Sequence, residues 1–503
     1  MKFEIAPITV LLGANSSGKS SITRLFPLLN QSMSARLSAP ILWVSDILDY
    51  GSFTANVHRF DPENPIVFGF QGRIHQRHIR RSYTGGTLFE IAPTEFQYRI
   101  HIRGNRESSY LSGLELDVYG ENVFIALNDQ SRVAKVIFRG VEYTELVPGK
   151  RIHVLPGTFP TIYTVDKESN ASVAGVREAV AEAAKILRSY AHHQTSLANI
   201  TQSLAGATIG RFDDTIDRIR SKLKDKDVLY KRFASISQHE IDRIWLQIFF
   251  GAINQVIGTI SNVVAADITN GSYLAPIRAQ ANRYYRRQEL AVDQIDPAGV
   301  NLAMYLNSLS HSELGELNKD LSEFFDHTVS LQRAEGHISI RLEETGEATS
   351  DNLADVGFGF SQLLPVIAQI YAAGRGSARP SVRSANAGGG VVQAPVLAIE
   401  QPELHLHPAY QARLGTYFVN AAKRFSRRGV NCRFVIETHS EQLVNALASM
   451  IGRKELRPDE VRIYLFGRDV GERTSRVVEA EIKPDGSIPN WPFGFFSSGR
   501  IGS

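Results

Sequence analysis

Gly13-Ala14-Asn15-Ser16-Ser17-Gly18-Lys19-Ser20 stands between an apolar run, Ile8-Thr9-Val10-Leu11-Leu12, and a helix-like stretch, Ser21-Ile22-Thr23-Arg24-Leu25-Phe26. The pattern is G-x-x-x-x-G-K-S in a strand–turn–helix context. That context separates a phosphate-binding loop from an ordinary Gly/Ser turn before a helix. The glycines let backbone N–H groups turn inward, and the helix that follows presents its positive end to the same point. Lys19 is placed to reach the β- and γ-phosphates and Ser20 to offer its hydroxyl to Mg²⁺. Asn15, Ser16, Ser17, Gly18, Lys19, Ser20 and Ser21 are therefore the expected nucleotide-binding loop, with ATP and Mg²⁺ as its ligands.

Bulk composition narrows the setting. With 503 residues, 43% of them hydrophobic, the chain can bury one large core or two to three smaller ones. Its 55 basic and 52 acidic residues leave a net charge of +3, so any nucleic-acid surface must be local. One cysteine, Cys432, excludes an internal disulfide framework and suits a reducing compartment. No run of eighteen apolar residues occurs and the N-terminus enters a strand at once, so the expectation is a cytoplasmic protein without signal peptide or membrane span.

Outward from the loop, three regions are expected. Residues 1–170 form an N-terminal lobe in which the P-loop is followed by strands: 65–70, 96–102, 114–118 and 133–138 alternate or run apolar between Gly/Asn turns. Two of these stretches are locally basic. Arg99 and Arg103 fall on one face of a strand, and Arg73, Arg77, Arg80 and Arg81 are denser still. They are candidate contacts for a phosphate backbone, with the solvated face of an antiparallel sheet as the equal alternative. Residues 171–265 change to a helical period, with Ile241, Ile244, Ile248, Ala252, Val256 and Ile260 along one stripe. The reading is a helical arm projecting from the body, against which stands simple packing of that stripe on the lobe. Residues 266–503 form the C-terminal lobe, interrupted by a Gly/Ser/Ala-rich loop over 374–394.

That lobe carries the second half of the site. Val396-Leu397-Ala398-Ile399 ends in Glu400-Gln401-Pro402-Glu403, and Arg433-Phe434-Val435-Ile436 ends in Glu437-Thr438-His439-Ser440. Acids at the carboxyl ends of parallel strands are where α/β proteins place their chemistry. Glu400 is the expected Mg²⁺-side acid with Ser20, and His439 a contact for the γ-phosphate. His405 and His407 are two apart and read as turn positions or contacts, not metal ligands.

Taken together, the P-loop, Phe358-Gly359-Phe360-Ser361-Gln362, Glu400-Gln401-Pro402-Glu403-Leu404-His405-Leu406-His407-Pro408 and Thr438-His439-Ser440 resemble the ATP-binding-cassette (ABC) ATPases of the SMC and OLD type. Tyr273–Arg278 and the closing Trp491–Phe496 are similar to a bacterial subgroup described as AAA-family ATPases. The resemblance implies an α/β fold, a P-loop NTPase ABC-ATPase head with a β-rich lobe and a helical insertion. It also implies a head-to-head dimer or higher oligomer with ATP between the heads. Gly359, Ser361 and Gln362 would then act in trans as the signature, Leu404–Pro408 as the dimer-contacting loop and His439 as the switch histidine. Two departures stand out. Asp355–Gln362 keeps only an adjacent Ser and Gln of the usual Leu-Ser-Gly-Gly-Gln. Gln401 occupies the place of the usual catalytic Glu; an amide orients water but does not take its proton at neutral pH. The expectation is slow hydrolysis, with bound ATP mainly holding an assembled state. Glu403 can replace the missing base only if the turn at Pro402 brings it round.

For biological role the resemblance implies an ATP-gated scaffold or sensor that controls a separate effector, a nuclease, as in anti-phage systems such as Septu or PARIS. The alternative is an SMC-like ATPase of DNA repair or maintenance. A self-contained nuclease fits less well, because only 64 residues follow His439 and they hold no Glu followed by an Asp-x-Asp pair.

Overall fold

The computed structural model describes residues 2–58, 61, 63–75, 90–130, 132–143, 151–155, 157–165, 172–173, 176–204, 208–269, 271–347, 349–376, 395–468 and 474–489. They divide into two units, one of residues 1–30 and 266–503, the other of residues 31–265. The β-rich stretch thus belongs with the helices of 171–265, not with the P-loop as the sequence reading had it.

The first unit is built on β1 (Ile8–Gly13), which runs into the loop and then α1 (Lys19–Thr23). Later segments complete its sheet: β2 (Ser272–Leu274), β3 (Val396–Glu400), β4 (Arg433–Glu437), β5 (Val461–Arg468) and β6 (Ser475–Glu479). The order across the six strands is β2-β3-β4-β1-β5-β6, parallel throughout except for β6. Ile8, Val10 and Leu12 enter one apolar cluster and Leu11 another, with Val396, Val435, Tyr464 and Phe466. Both faces are therefore covered, which is why these strands read as unbroken apolar runs. Three helices supply much of the larger cluster: α2 (Phe358–Gly376), α3 (Pro408–Arg427) and α4 (Glu441–Gly452).

Gly13 shows how tightly the loop is set into this sheet. A Cβ there would lie 2.5 Å from the Phe466 carbonyl oxygen and 2.7 Å from the Ser17 hydroxyl. Since backbone cannot yield as a flexible side chain can, Gly13→Ala should cost about 1–3 kcal/mol of stability. A thermal melt with an unchanged midpoint would contradict this.

The second unit has a six-stranded antiparallel sheet, Ile66–Ile74, Thr94–Gly104, Ser109–Val118, Glu121–Leu127, Val133–Phe138 and Val141–Glu142 in that order. Its residues alternate between buried and partly exposed, as a sheet with one covered face must. The cover is the long helix Gln238–Ile268. Trp245 stacks on Phe138 with ring centroids 5.0 Å apart, the Tyr143 hydroxyl donates to Asp242, and Asn254 bonds both backbone groups of Ile162. This helix is long and apolar enough to cross a membrane by composition, yet its stripe, including Ile244, Ile248, Ala252, Val256 and Ile260, is buried in the unit. The projecting arm expected from the helical period is instead core, because its apolar stripe meets the covered face of this sheet, a pairing that no local pattern announced.

Candidate functional site

The loop after β1 takes its shape from two left-handed positions, Ser16 (φ 61°) and Gly18 (φ 96°), and from a Ser17 N–H to Ala14 carbonyl bond of 3.3 Å. A glycine at the second position avoids the strain any side chain would bring. Lys19 is buried, and its ammonium donates to the Gly13 and Ala14 carbonyls at 2.9 Å each. Burial lowers its pKa, opposed by the charges of Glu437, Glu400 and Glu403. Asn15 and Ser16 at the loop tip and Ser21 are exposed, while Ser20 is half-buried.

Three carboxylates converge on this loop. Glu437, at the tip of β4 directly beside β1, accepts from the Ser20 hydroxyl at 2.9 Å and from the Thr23 hydroxyl at 3.3 Å. Burial raises its pKa, helped by the neighbouring Glu400 charge and opposed by Ser20 and Lys19. Glu400, one strand further at the tip of β3, is held by the two nitrogens of Arg24 at 2.7 and 2.9 Å and by the Tyr273 hydroxyl at 2.8 Å. Such a forked pair is both strong and directional. The side-chain bond to Glu400 raises the Arg24 pKa further.

The third carboxylate depends on the turn after β3. Gln401 has a positive φ of 42°, unusual for a residue with a side chain, and its N–H is tied to the Glu437 carbonyl at 2.7 Å. The turn closes with Leu404 N–H donating to the Gln401 carbonyl at 3.2 Å. This brings Glu403 round to a cleft of about 670 Å³ that Asn15, Gln401 and His439 also line. Glu403 is 8% exposed. Its Oε1 accepts from the His439 N–H at 2.7 Å, and its Oε2 has no hydrogen-bond partner among the described residues. Burial raises the Glu403 pKa, against the pull of that N–H, of the Thr438 hydroxyl and of the Arg278 charge. Arg278 is 1% exposed; one nitrogen donates to the Glu400 carbonyl at 2.9 Å, Nε and Nη1 have no partner among the described residues, and burial pushes its pKa down to about 10.

Lys19, Ser20, Glu400, Gln401, Glu403 and His439 lie together around the loop and the tips of β3 and β4. His439 is exposed at the tip after β4, and desolvation together with the Lys19 charge holds its imidazole below the ordinary value. Ser440 caps α4, its hydroxyl accepting from Leu443 N–H. His407 caps α3, with Nδ1 accepting from the Ala409 N–H, while His405 has a φ of 63° and packs edge-on to Phe358. The signature residues are placed differently from the expectation. Gln362 is fully buried and spends its amide on the Arg278 backbone, accepting from its N–H and donating to its carbonyl at 3.1 Å each. Ser361 is buried and donates to the Phe358 carbonyl, and Gly359 lies against the His405 carbonyl. In this arrangement neither the Ser361 nor the Gln362 side chain is free for a second chain, because helix α2 turns both inward.

Of the candidate nucleic-acid contacts, Arg73 pairs with Glu95, Arg99 with Glu115 and Arg103 with Glu63. Arg77, Arg80 and Arg81 lie outside the described residues, as do Trp491–Phe496 and most of the Gly/Ser/Ala-rich loop. Sequence reasoning missed Glu437, Arg24, Tyr273 and Arg278. Glu437 carried the same signal as Glu400, an acid closing an apolar strand; Tyr273 and Arg278 were marked only by the resemblance over Tyr273–Arg278, and Arg24 carried none.

Residues 207–445 match the family described as AAA domain, putative AbiEii toxin, Type IV TA system. The matched span contains the strand tips with Glu400, Gln401, Glu403, Glu437 and His439, and the P-loop precedes it. The parallel sheet with the loop after β1 is the P-loop NTPase fold of ABC heads. Among solved structures, this chain is similar to the Smc head domain with an extended coiled coil bound to the C-terminal domain of ScpA from Pyrococcus furiosus, at 11% identity over 95% of this chain and 90% of that one, with a TM-score of 0.28. It is also similar to the SMC head domain from Thermotoga maritima, at 10% identity over 95% and 93% of the two chains, with a TM-score of 0.27. No curated protein sequence matches it.

Proposed function

We propose that this ATPase is a nucleotide-gated scaffold or sensor that assembles with itself and controls a separate effector, a nuclease, in bacterial anti-phage defence. The observation that carries the nucleotide part is the meeting of the P-loop lysine and serine with three carboxylates, two at strand tips and Glu403 in the turn after β3, in one unit. Support for a role in a multi-component system comes from the family description, which names a putative toxin of a type IV TA system. The donor set fits Mg²⁺. It offers a hydroxyl and carboxylates, all hard oxygens, and no group of three His, Cys, Asp or Glu among the described residues that could cage a metal unaided. Mg²⁺ is held in this sparse way, with phosphates and water completing its shell. When bound, it would neutralise charge developing on the phosphates.

In this reading Lys19 binds the terminal phosphates, Gln401 orients the attacking water through its amide, and His439 faces the γ-phosphate. Glu403 takes the water proton on Oε2 as the oxygen attacks phosphorus and the bond to ADP breaks. With its base buried and already accepting the His439 N–H, hydrolysis is slow, and bound ATP acts mainly by holding an assembled state. The trans contact then falls to the exposed start of α2 at Gly357 and Phe358 instead of Ser361 or Gln362.

The test is to purify the chain with its native gene neighbours and record its native mass with and without ATP. A stoichiometric second protein, released or activated as the nucleotide state changes, is the expected result. A lone homodimer that forms with ATP and retains duplex DNA would replace this reading by the DNA-maintenance one.

A further inference from the structure

We infer that the tip of the hairpin formed by strands His327–Ala334 and His337–Glu344 is a docking surface for single-stranded nucleic acid, with Arg286, Arg287 and Arg333 on its phosphates and Tyr284 under its bases. The surface lies in the first unit and shares no residue with the nucleotide site.

The stretch Asn282-Arg283-Tyr284-Tyr285-Arg286-Arg287 is laid along this hairpin. Its short strand, Tyr285–Arg286, pairs with the second hairpin strand, Tyr285 opposite Ile338 and Arg286 opposite His337. Residues opposite one another in an antiparallel pair share a face, so the register sorts the side chains. Tyr285 goes with the fully buried Ile338 and packs on the core, which leaves Arg286 on the exposed side with His337. The Arg287 N–H donates to the carbonyl of Gly336, in the hairpin turn, at 2.7 Å. Arg333 arrives at the same tip from the first hairpin strand, where it too stands opposite Ile338. Three arginines thus meet at one end of a three-stranded sheet.

Their charge is not spent within the molecule. All three are exposed, and among the described residues none is ion-paired; Arg333 donates from Nε to the neutral Asn307. The acids nearest in sequence, Glu335 and Glu289, are two against three. The basic residues of the antiparallel sheet in the second unit are the contrast, since Arg73, Arg99 and Arg103 each face a glutamate. Arg283 is likewise taken up, by Asp355. Like charges gathered without acids between them repel, and a bound polyanion relieves the repulsion. Tyr284 decides which polyanion. It is 62% exposed and meets the His337 ring edge-on, with centroids 6.5 Å apart. An aromatic face beside unpaired arginines is what unstacked bases and their phosphates need; an acidic peptide has no use for the ring, and a duplex keeps its bases inside.

The test is fluorescence anisotropy of a labelled oligo(dT) of about 16 nucleotides on the full chain, at salt from about 50 to 200 mM. Binding should weaken with salt at a log–log slope near −2, about 0.7 for each of three phosphates. Arg286→Gln combined with Arg287→Gln should weaken binding about 10-fold or more at low salt and flatten the slope to about −0.7. Tyr284→Ala should weaken it about 5- to 100-fold with the slope unchanged, while Tyr284→Phe binds like wild type, because stacking needs the ring and not the hydroxyl. The three side chains changed are exposed, so each variant should melt close to wild type. A wild type that leaves oligo(dT) unbound at about 50 mM salt, or a double variant that binds within about twofold of it, would overturn the inference. So would a Tyr284→Ala variant that binds as well as wild type, with duplex DNA or poly-glutamate competing equally; the tip would then serve a partner without exposed bases. ATP binding is read in a separate titration, so none of these outcomes bears on the nucleotide reading.

Discussion

Lys19→Ala should remove ATP binding almost entirely, with affinity falling about a hundredfold or more. A charge-assisted contact to phosphate is worth about 1.5–3 kcal/mol, and its upper end alone is a hundredfold in affinity. Lys19 is the cation that faces the three acids at the head of the loop, and it is buried, so solvent does little to screen it. Its present partners are the Gly13 and Ala14 carbonyls, both on the loop itself, so their loss affects the loop more than the core. The variant should therefore melt close to wild type while failing a fluorescent-nucleotide titration. Binding within about threefold of wild type would show that the loop does not hold phosphates.

Glu403→Gln should lower ATP turnover by about 10² to 10⁴, the usual range for removing a general base, with nucleotide affinity nearly unchanged. The same variant should be more stable than wild type at neutral pH. The sign follows from linkage. The Glu403 pKa is raised in the folded chain above its ordinary 4.5, chiefly by burial. Its contribution to stability is complete below that unfolded value and is lost as pH rises through the folded one. Replacing the carboxylate by a neutral amide removes that loss, so the stability gap between variant and wild type should close as pH falls toward 4.5. A stable variant that still turns over ATP at the wild-type rate would discard Glu403 as base. A variant that loses both turnover and stability would mark it as a structural acid. A group that costs stability where it is needed for chemistry is a common mark of a functional site.

Local signals carried much of the site. The P-loop was legible because a strand, two glycines, a lysine and a serine are spaced within a dozen residues, and that spacing is itself the geometry. The acids Glu400 and Glu437 were legible as strand tips for the same reason. What they bond to was not legible. Ser20 and Glu437 are 417 residues apart in the chain, and Arg24 and Glu400 are 376 apart. No periodicity links such positions. The helix Gln238–Ile268 makes the same point for the fold. Its stripe of Ile244, Ile248, Ala252 and Ile260 fits an arm that binds a partner as well as it fits a core, until Phe138 and Trp245 stack.

The sequence by itself therefore determined the nucleotide loop, the parallel α/β character of its sheet and the absence of a glutamate at Gln401, because each is written in adjacent residues. Only the tertiary structure decided that Glu403 turns back to the loop, that Gln362 is buried against Arg278, and that the β-rich and helical stretches form one unit. The physical reason is the same in each case. Burial and pairing are settled between segments far apart in the chain, where neither propensity nor spacing reaches.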